Sequence, residues 1–145
     1  MLEGLVIARQ DEEQKIKKRI PMLVKLAPNL SDAELYDAVD VITHHGIDGV
    51  VATNTSTMRD GVRAEKSSEN GGLGRRPLTA LSKDMVRKNY SHTADRLPII
   101  GSVGVMNTSD AEAKLDAGVV LIQVYNGLVY RSPGVVREIH NALSS

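Results

Sequence analysis

Four short apolar runs, each set between segments of helical period, restrict this chain to very few folds. The first run, Met22-Leu23-Val24-Lys25-Leu26-Ala27, lies between Pro21 and Pro28 and carries a single charge. The second covers residues 47–53, around Gly49-Val50-Val51-Ala52. The third is Leu97-Pro98-Ile99-Ile100-Gly101, and the fourth covers residues 119–125. Such runs, bounded by Pro and Gly, read as buried strands. Between the first two, Ser31-Asp32-Ala33-Glu34 is a capping-box signature. Leu35, Val39 and Ile42 then recur at helical spacing up to a stop at Gly46. Helices are also expected over residues 79–91, through Leu81, Met85 and Val86, and over 109–117, with Gly118 as the stop. A last helix starts at Ser132-Pro133, with Pro at its first position and Val136, Ile139 and Leu143 on one face. Charged residues 3–19, with Leu5, Val6 and Ile16, predict a helix ahead of the first strand. Residues 56–76, with Gly61, Gly71, Gly72 and Gly74, predict a long loop of the kind that is functional or mobile.

Strand and helix therefore alternate four times, which indicates a parallel sheet covered on both faces. Two α/β architectures fit: an open doubly wound sheet, or part of a closed (β/α) barrel. A whole barrel needs eight units and about 250 residues, and this chain of 145 residues holds four. One domain spanning residues 1–145 is expected. Equal counts of 18 basic and 18 acidic residues argue against a nucleic-acid binder that works by neutralising phosphates. Four Tyr with no Phe or Trp leave little for stacking bases. The absence of cysteine removes disulfides, thiolate metal sites and a cysteine nucleophile. The apolar runs are far shorter than a membrane span, and Met1-Leu2-Glu3 opens no signal-peptide pattern. A soluble globular protein is the expectation.

In either architecture ligands bind at the carboxyl ends of the strands. Those ends read Lys25 with Asn29, Thr53-Asn54-Thr55, Gly101-Ser102-Val103-Gly104 and Tyr125-Asn126-Gly127. A lysine inside an apolar strand either faces an anionic partner or snorkels to the strand end. Thr53-Asn54-Thr55 offers an amide flanked by hydroxyls, suited to a planar ligand with alternating carbonyl and N–H groups, or simply begins a turn. The Gly101–Gly104 segment precedes a helix, so its backbone amides can cradle a phosphate. His44, His45, His92 and His140 show no metal-ligand spacing.

Taken together, Val24-Lys25-Leu26-Ala27-Pro28-Asn29-Leu30, Ala52-Thr53-Asn54-Thr55, Gly71-Gly72-Leu73, Arg76-Pro77-Leu78, Leu97-Pro98-Ile99-Ile100-Gly101 and Gln123-Val124-Tyr125 resemble the dihydroorotate dehydrogenase family, in its quinone-linked class 2 form. The resemblance runs in order over roughly residues 20–143. It implies the C-terminal half of an FMN-binding (β/α)8 TIM barrel. It further implies oxidation of dihydroorotate to orotate in pyrimidine biosynthesis, with electrons passing through FMN to a quinone. By motif, Lys25 corresponds to the lysine beside the flavin ring, Thr53 to an FMN contact, and Asn54 and Thr55 to the pair that binds orotate. Gly104 corresponds to the glycine of the phosphate loop, and Tyr125 and Asn126 to the last phosphate-binding backbone segment.

The same resemblance places the family's first four strands and its catalytic serine base upstream of these residues, so no catalytic residue is assigned within the chain. Three departures stand out: Gly71-Gly72-Leu73-Gly74-Arg75-Arg76 for the family's G-G-L-S-G-x, Gly101-Ser102-Val103-Gly104 for G-V-G-G, and Gly118-Val119-Val120 for G-A-S. Arg75 and Val103 thus put side chains where the cofactor approaches backbone, which is expected to weaken FMN binding. The expected partners are dihydroorotate or orotate, a quinone, and either a missing N-terminal half or a second copy that closes the barrel. Nucleic acid is not among them. The expected location is cytoplasmic, or peripheral at a membrane if joined to a class 2 N-terminal extension. The alternatives are a non-catalytic phosphate- or flavin-binding remnant, a self-associating half barrel, and another phosphate-binding barrel enzyme.

Overall fold

A computed structural model describes residues 1–54 and 79–144, the side chains of Thr79 and Ala80 excepted. Helix α1 (Leu2–Ile16) precedes β1 (Leu23–Leu26), α2 (Asp32–His44), β2 (Gly49–Ala52), α3 (Thr79–Thr93), β3 (Ile99–Gly101), α4 (Thr108–Leu115), β4 (Leu121–Ile122), α5 (Asn126–Arg131) and α6 (Gly134–Leu143). The four strands are parallel and lie side by side in chain order. That order decides between the two architectures left open by the pattern. A doubly wound sheet reverses direction at a switch point, whereas successive right-handed crossovers in one direction lay every helix on the same side. Accordingly α2 packs on α3 and α3 on α4. The sheet is an arc of a barrel wall.

Register shows which residues face the helices. Leu26, Ala52, Gly101 and Ile122 are aligned across the strands, as are Lys25, Val51, Ile100 and Leu121. The first row is on the helix side. Leu26 and Ala52 there join Val50 and Ile99 against Leu35, Val39 and Ile42 of α2 and Met85 and Val86 of α3. The second row is on the open side, where Lys25 and Leu121 are exposed. A second cluster, Val105, Ala111, Val135 and Ile139, joins α4 and α6 to the β3–α4 segment.

Helix α2 begins as its sequence predicts: the Ser31 side chain accepts from the Glu34 amide while Glu34 reaches back to the Ser31 amide. At the opposite end of the sheet the α2–β2 turn carries Asp48. Its carboxylate accepts from Arg9, Arg19 and the Met22 amide, which ties α1 and the segment after it to the start of β2. No residue of α1 is buried, so this anchor and the partial packing of Leu2 and Val6 hold the helix.

Three expectations are corrected. The fourth run pairs only at Leu121–Ile122, with Val120 and Leu121 exposed, because β4 has a partner on one side alone. Likewise β1 is an edge strand, so burial on both faces does not hold for the outer strands. On the last helix the buried pair is Val135 and Ile139, while Val136 and Leu143 are exposed. The long loop 56–76 lies outside the described residues. Among the described residues no helix is long and apolar enough to cross a membrane.

Candidate functional site

The sheet ladders continue past the strand ends and set the course of the three segments that leave the sheet there. The Asn54 amide donates to the Leu26 carbonyl at 2.7 Å, the Ser102 amide to Ala52 at 2.8 Å and the Gln123 amide to Gly101 at 2.7 Å. Beyond these bonds lies a cavity of about 210 Å³ at the carboxyl ends of β1, β3 and β4. Lys25, Val103, Gly104, Gln123, Tyr125 and Asn126 contribute to its walls. Four of the residues singled out in the sequence, Lys25, Gly104, Tyr125 and Asn126, are therefore brought together. Thr53 and Asn54 follow β2 on the neighbouring strand end and do not line the cavity. Thr53 is fully buried, its hydroxyl donating to the Asn54 carbonyl at 2.9 Å, and Asn54 is exposed. Thr55 and Arg75 lie outside the described residues.

The expectation that Lys25 is buried is corrected. It belongs to the open-face row with Val51, Ile100 and Leu121, so alternation turns its side chain away from the helices. It is exposed at the cavity and makes no ion pair among the described residues.

The β3–α4 segment owes its shape to two successive left-handed residues, Val103 at φ 66° and Gly104 at φ 76°. Gly104 adopts this without cost; Val103, β-branched, does not. Farther on, the Met106 amide donates to Asp110 at 2.9 Å, and Asn107 caps α4 by accepting from the Asp110 amide at 2.9 Å. Arg131 donates to the Met106 carbonyl at 3.0 Å and pairs with Glu138. Gly127 allows α5 to lie directly on this segment, since a Cβ there would sit 2.8 Å from the Val105 carbonyl oxygen.

Sequence reasoning missed Lys114 and Ser82. Lys114 is only 1% exposed, and its Nζ donates to Ser82 Oγ at 2.8 Å; that hydroxyl donates to the Ser102 carbonyl at 3.0 Å. Burial pushes the Lys114 ammonium down to about 8, opposed by the charge of Asp110. The available signal was spacing: Lys114 stands three residues after Ala111 on the buried face of α4.

Among the described residues the wall holds one exposed ammonium, backbone amides at the left-handed pair Val103–Gly104 and no carboxylate, which makes a site for an anion. The volume suits a phosphate with the first atoms of its substituent rather than a whole nucleotide. These donors fit the phosphate end of FMN. Among the described residues no three His, Asp or Glu side chains are grouped to bind a metal.

Residues 5–145 match the family model described as dihydroorotate dehydrogenase. A dihydroorotate dehydrogenase (quinone) of Anaeromyxobacter sp. (strain Fw109-5) is 50% identical over 125 residues, covering 86% of this chain and 34% of that protein. Its counterpart in Cupriavidus necator is 40% identical, covering 98% of this chain and 43% of the relative. A crystal structure of DHODH from Eimeria tenella in complex with ferulenol superposes with a TM-score of 0.88 at 34% identity, over 98% of this chain and 43% of that one. The chain thus spans between a third and under half the length of these relatives, in their C-terminal part. A parallel arc of four strand–helix units, with its cavity at the strands' carboxyl ends, is what the end of such a TIM barrel contains, and the chain belongs to the dihydroorotate dehydrogenase family.

Proposed function

We propose that this chain supplies the cofactor-phosphate and substrate-clamp half of an FMN-dependent, quinone-linked dihydroorotate dehydrogenase. The observation that carries the reading is the convergence of Lys25, the left-handed pair Val103–Gly104 and the Tyr125–Asn126 segment on one anion-suited cavity. The backbone of Gly104, Tyr125 and Asn126 holds the phosphate of FMN. Lys25, on the open face of the sheet, presents its ammonium toward the interior where the rest of the cofactor lies. Bound FMN supplies hydride acceptance from dihydroorotate and passage of the electrons to a quinone. Thr53 contributes to the cofactor site, while Asn54 and Thr55 hold the planar substrate through amide and hydroxyl hydrogen bonds.

The proton acceptor is not among these 145 residues on the family's motif. The barrel's remaining strands complete the site, covering the open face and pairing the edges at β1 and β4. Losing a general base alone costs about 10²–10⁴-fold in rate. The test is anaerobic flavin reduction by dihydroorotate, with the chain alone and mixed with the N-terminal part of the Anaeromyxobacter relative. Reduction by the mixture and none by the chain alone is expected. Reduction by the chain alone would place the base within it, and failure of the mixture to bind FMN would reject the cofactor assignment.

A further inference from the structure

We propose that Lys114 and Ser82 are positioning residues for the β3–α4 anion-binding segment: through Lys114 Nζ, Ser82 Oγ and the Ser102 carbonyl they fix where that segment leaves the sheet. The proposal rests on the phosphate assignment made above. All three residues are buried, at 1%, 0% and 6% exposure. Ser102 is held on both sides, its amide donating to the Ala52 carbonyl and its own carbonyl accepting from Ser82. The next two residues are the left-handed pair that lines the cavity.

Packing alone does not call for a lysine here. A methionine fills the same channel without the cost of burying an ammonium whose hydrogen bond goes to a neutral hydroxyl. The stem is also pressed against the strand end, since a Cβ on Gly101 would lie 3.0 Å from Lys114 Cδ. One turn earlier on α4, Asp110 accepts from the Met106 amide at the far end of the segment. Positions 110 and 114 of one helix therefore hold both ends of the cradle, the exit directly and the entrance through Ser82. The buried positive charge beneath the cradle has the sign that favours an anion above it. Loss of the relay frees the Ser102 carbonyl and lets the segment drift from the geometry that receives a phosphate.

The test uses the whole chain and two probes, FMN and riboflavin, which differ only in the phosphate. Binding is followed by flavin fluorescence, and thermal melting is recorded alongside. Lys114→Met and Ser82→Ala are expected to lose about tenfold in FMN affinity, the worth of one hydrogen bond at the stronger end. Riboflavin affinity should not move, and Ser82→Thr should restore FMN binding by returning a hydroxyl. Equal losses for both flavins, or FMN affinity that follows melting temperature across the variants, would reduce the relay to a structural contact and overturn the proposal. Unchanged FMN affinity in both Lys114→Met and Ser82→Ala would overturn it as well, leaving the phosphate assignment standing. A wild-type chain that binds FMN no better than riboflavin would overturn the phosphate assignment and this proposal with it.

Discussion

At the amino ends of the strands one carboxylate, Asp48, is surrounded by two guanidiniums and a backbone amide. At the carboxyl ends, Lys25 stands exposed and unpaired among the described residues, Lys114 is buried on a hydroxyl, and Val103 is held in a left-handed conformation. The first end spends its charges on each other and closes the chain; the second leaves donors and strain unspent. In a barrel fold the first arrangement belongs to stability and the second to ligand binding. The two ends should therefore answer differently to substitution.

Asp48→Asn should show the largest effect on stability, about 3 kcal/mol in denaturant unfolding, because it removes the carboxylate that Arg9, Arg19 and the Met22 amide share and leaves the part-buried Arg9 only the longer contacts to Glu13 and the Gly46 carbonyl. FMN affinity of the folded fraction should stay as it was; a loss there would break the division between the ends. The Met22 amide, and after it Arg19 and Arg9, hold the Asp48 carboxyl below its ordinary value of 3.8, against the opposing effect of burial. A lowered folded pKa means that this stabilisation is complete above about pH 4 and fades as pH falls through the folded value. The gap between wild type and Asp48→Asn should accordingly close under acid.

Lys114 has the opposite pH signature. Its folded value of about 8 lies below the ordinary 10.5, so between them the unfolded chain binds more protons and stability rises with pH. Lys114→Met should lack this alkaline gain, on the order of 2 kcal/mol, when unfolding is compared at pH 7.5 and 10. Identical pH profiles would mean that the ammonium is not buried as described.

Lys25→Met should leave stability within about 0.5 kcal/mol, since the side chain is exposed. It should weaken FMN binding by about 1–3 kcal/mol in a fluorescence titration. A large stability loss with unchanged affinity would move Lys25 to the structural side of the comparison. Val103→Gly should be the smallest change. Relief of a left-handed β-branched residue is offset in part by the entropy of glycine, leaving about 0.5 kcal/mol of added stability and tighter FMN binding.

The strand–helix alternation was legible in sequence because Val and Ile runs and the Ser31 capping box are local signals. That alternation alone left barrel and open sheet undecided, because the choice depends on strand order, which appears once β1 to β4 lie side by side; in the sequence only the family motifs pointed to the barrel. Helix α5 escaped notice because it is only six residues long and Tyr125, the residue before it, supplies no side-chain cap. Lys25 was misjudged because an apolar run looks the same whether or not its second face is covered. Glycine-type motifs gave the cavity's members, yet the support beneath it rests on a pairing between α3 and α4, residues 82 and 114, that no local pattern encodes.

The most direct test of the account is a titration of the isotopically labelled chain with FMN, followed by amide chemical shifts. Shifts at Lys25, Thr53, Ser102–Gly104 and Tyr125–Gly127, with Arg9, Arg19, Met22 and Asp48 unmoved, are predicted. Shifts centred on the Asp48 end, or none at saturating FMN, would contradict it.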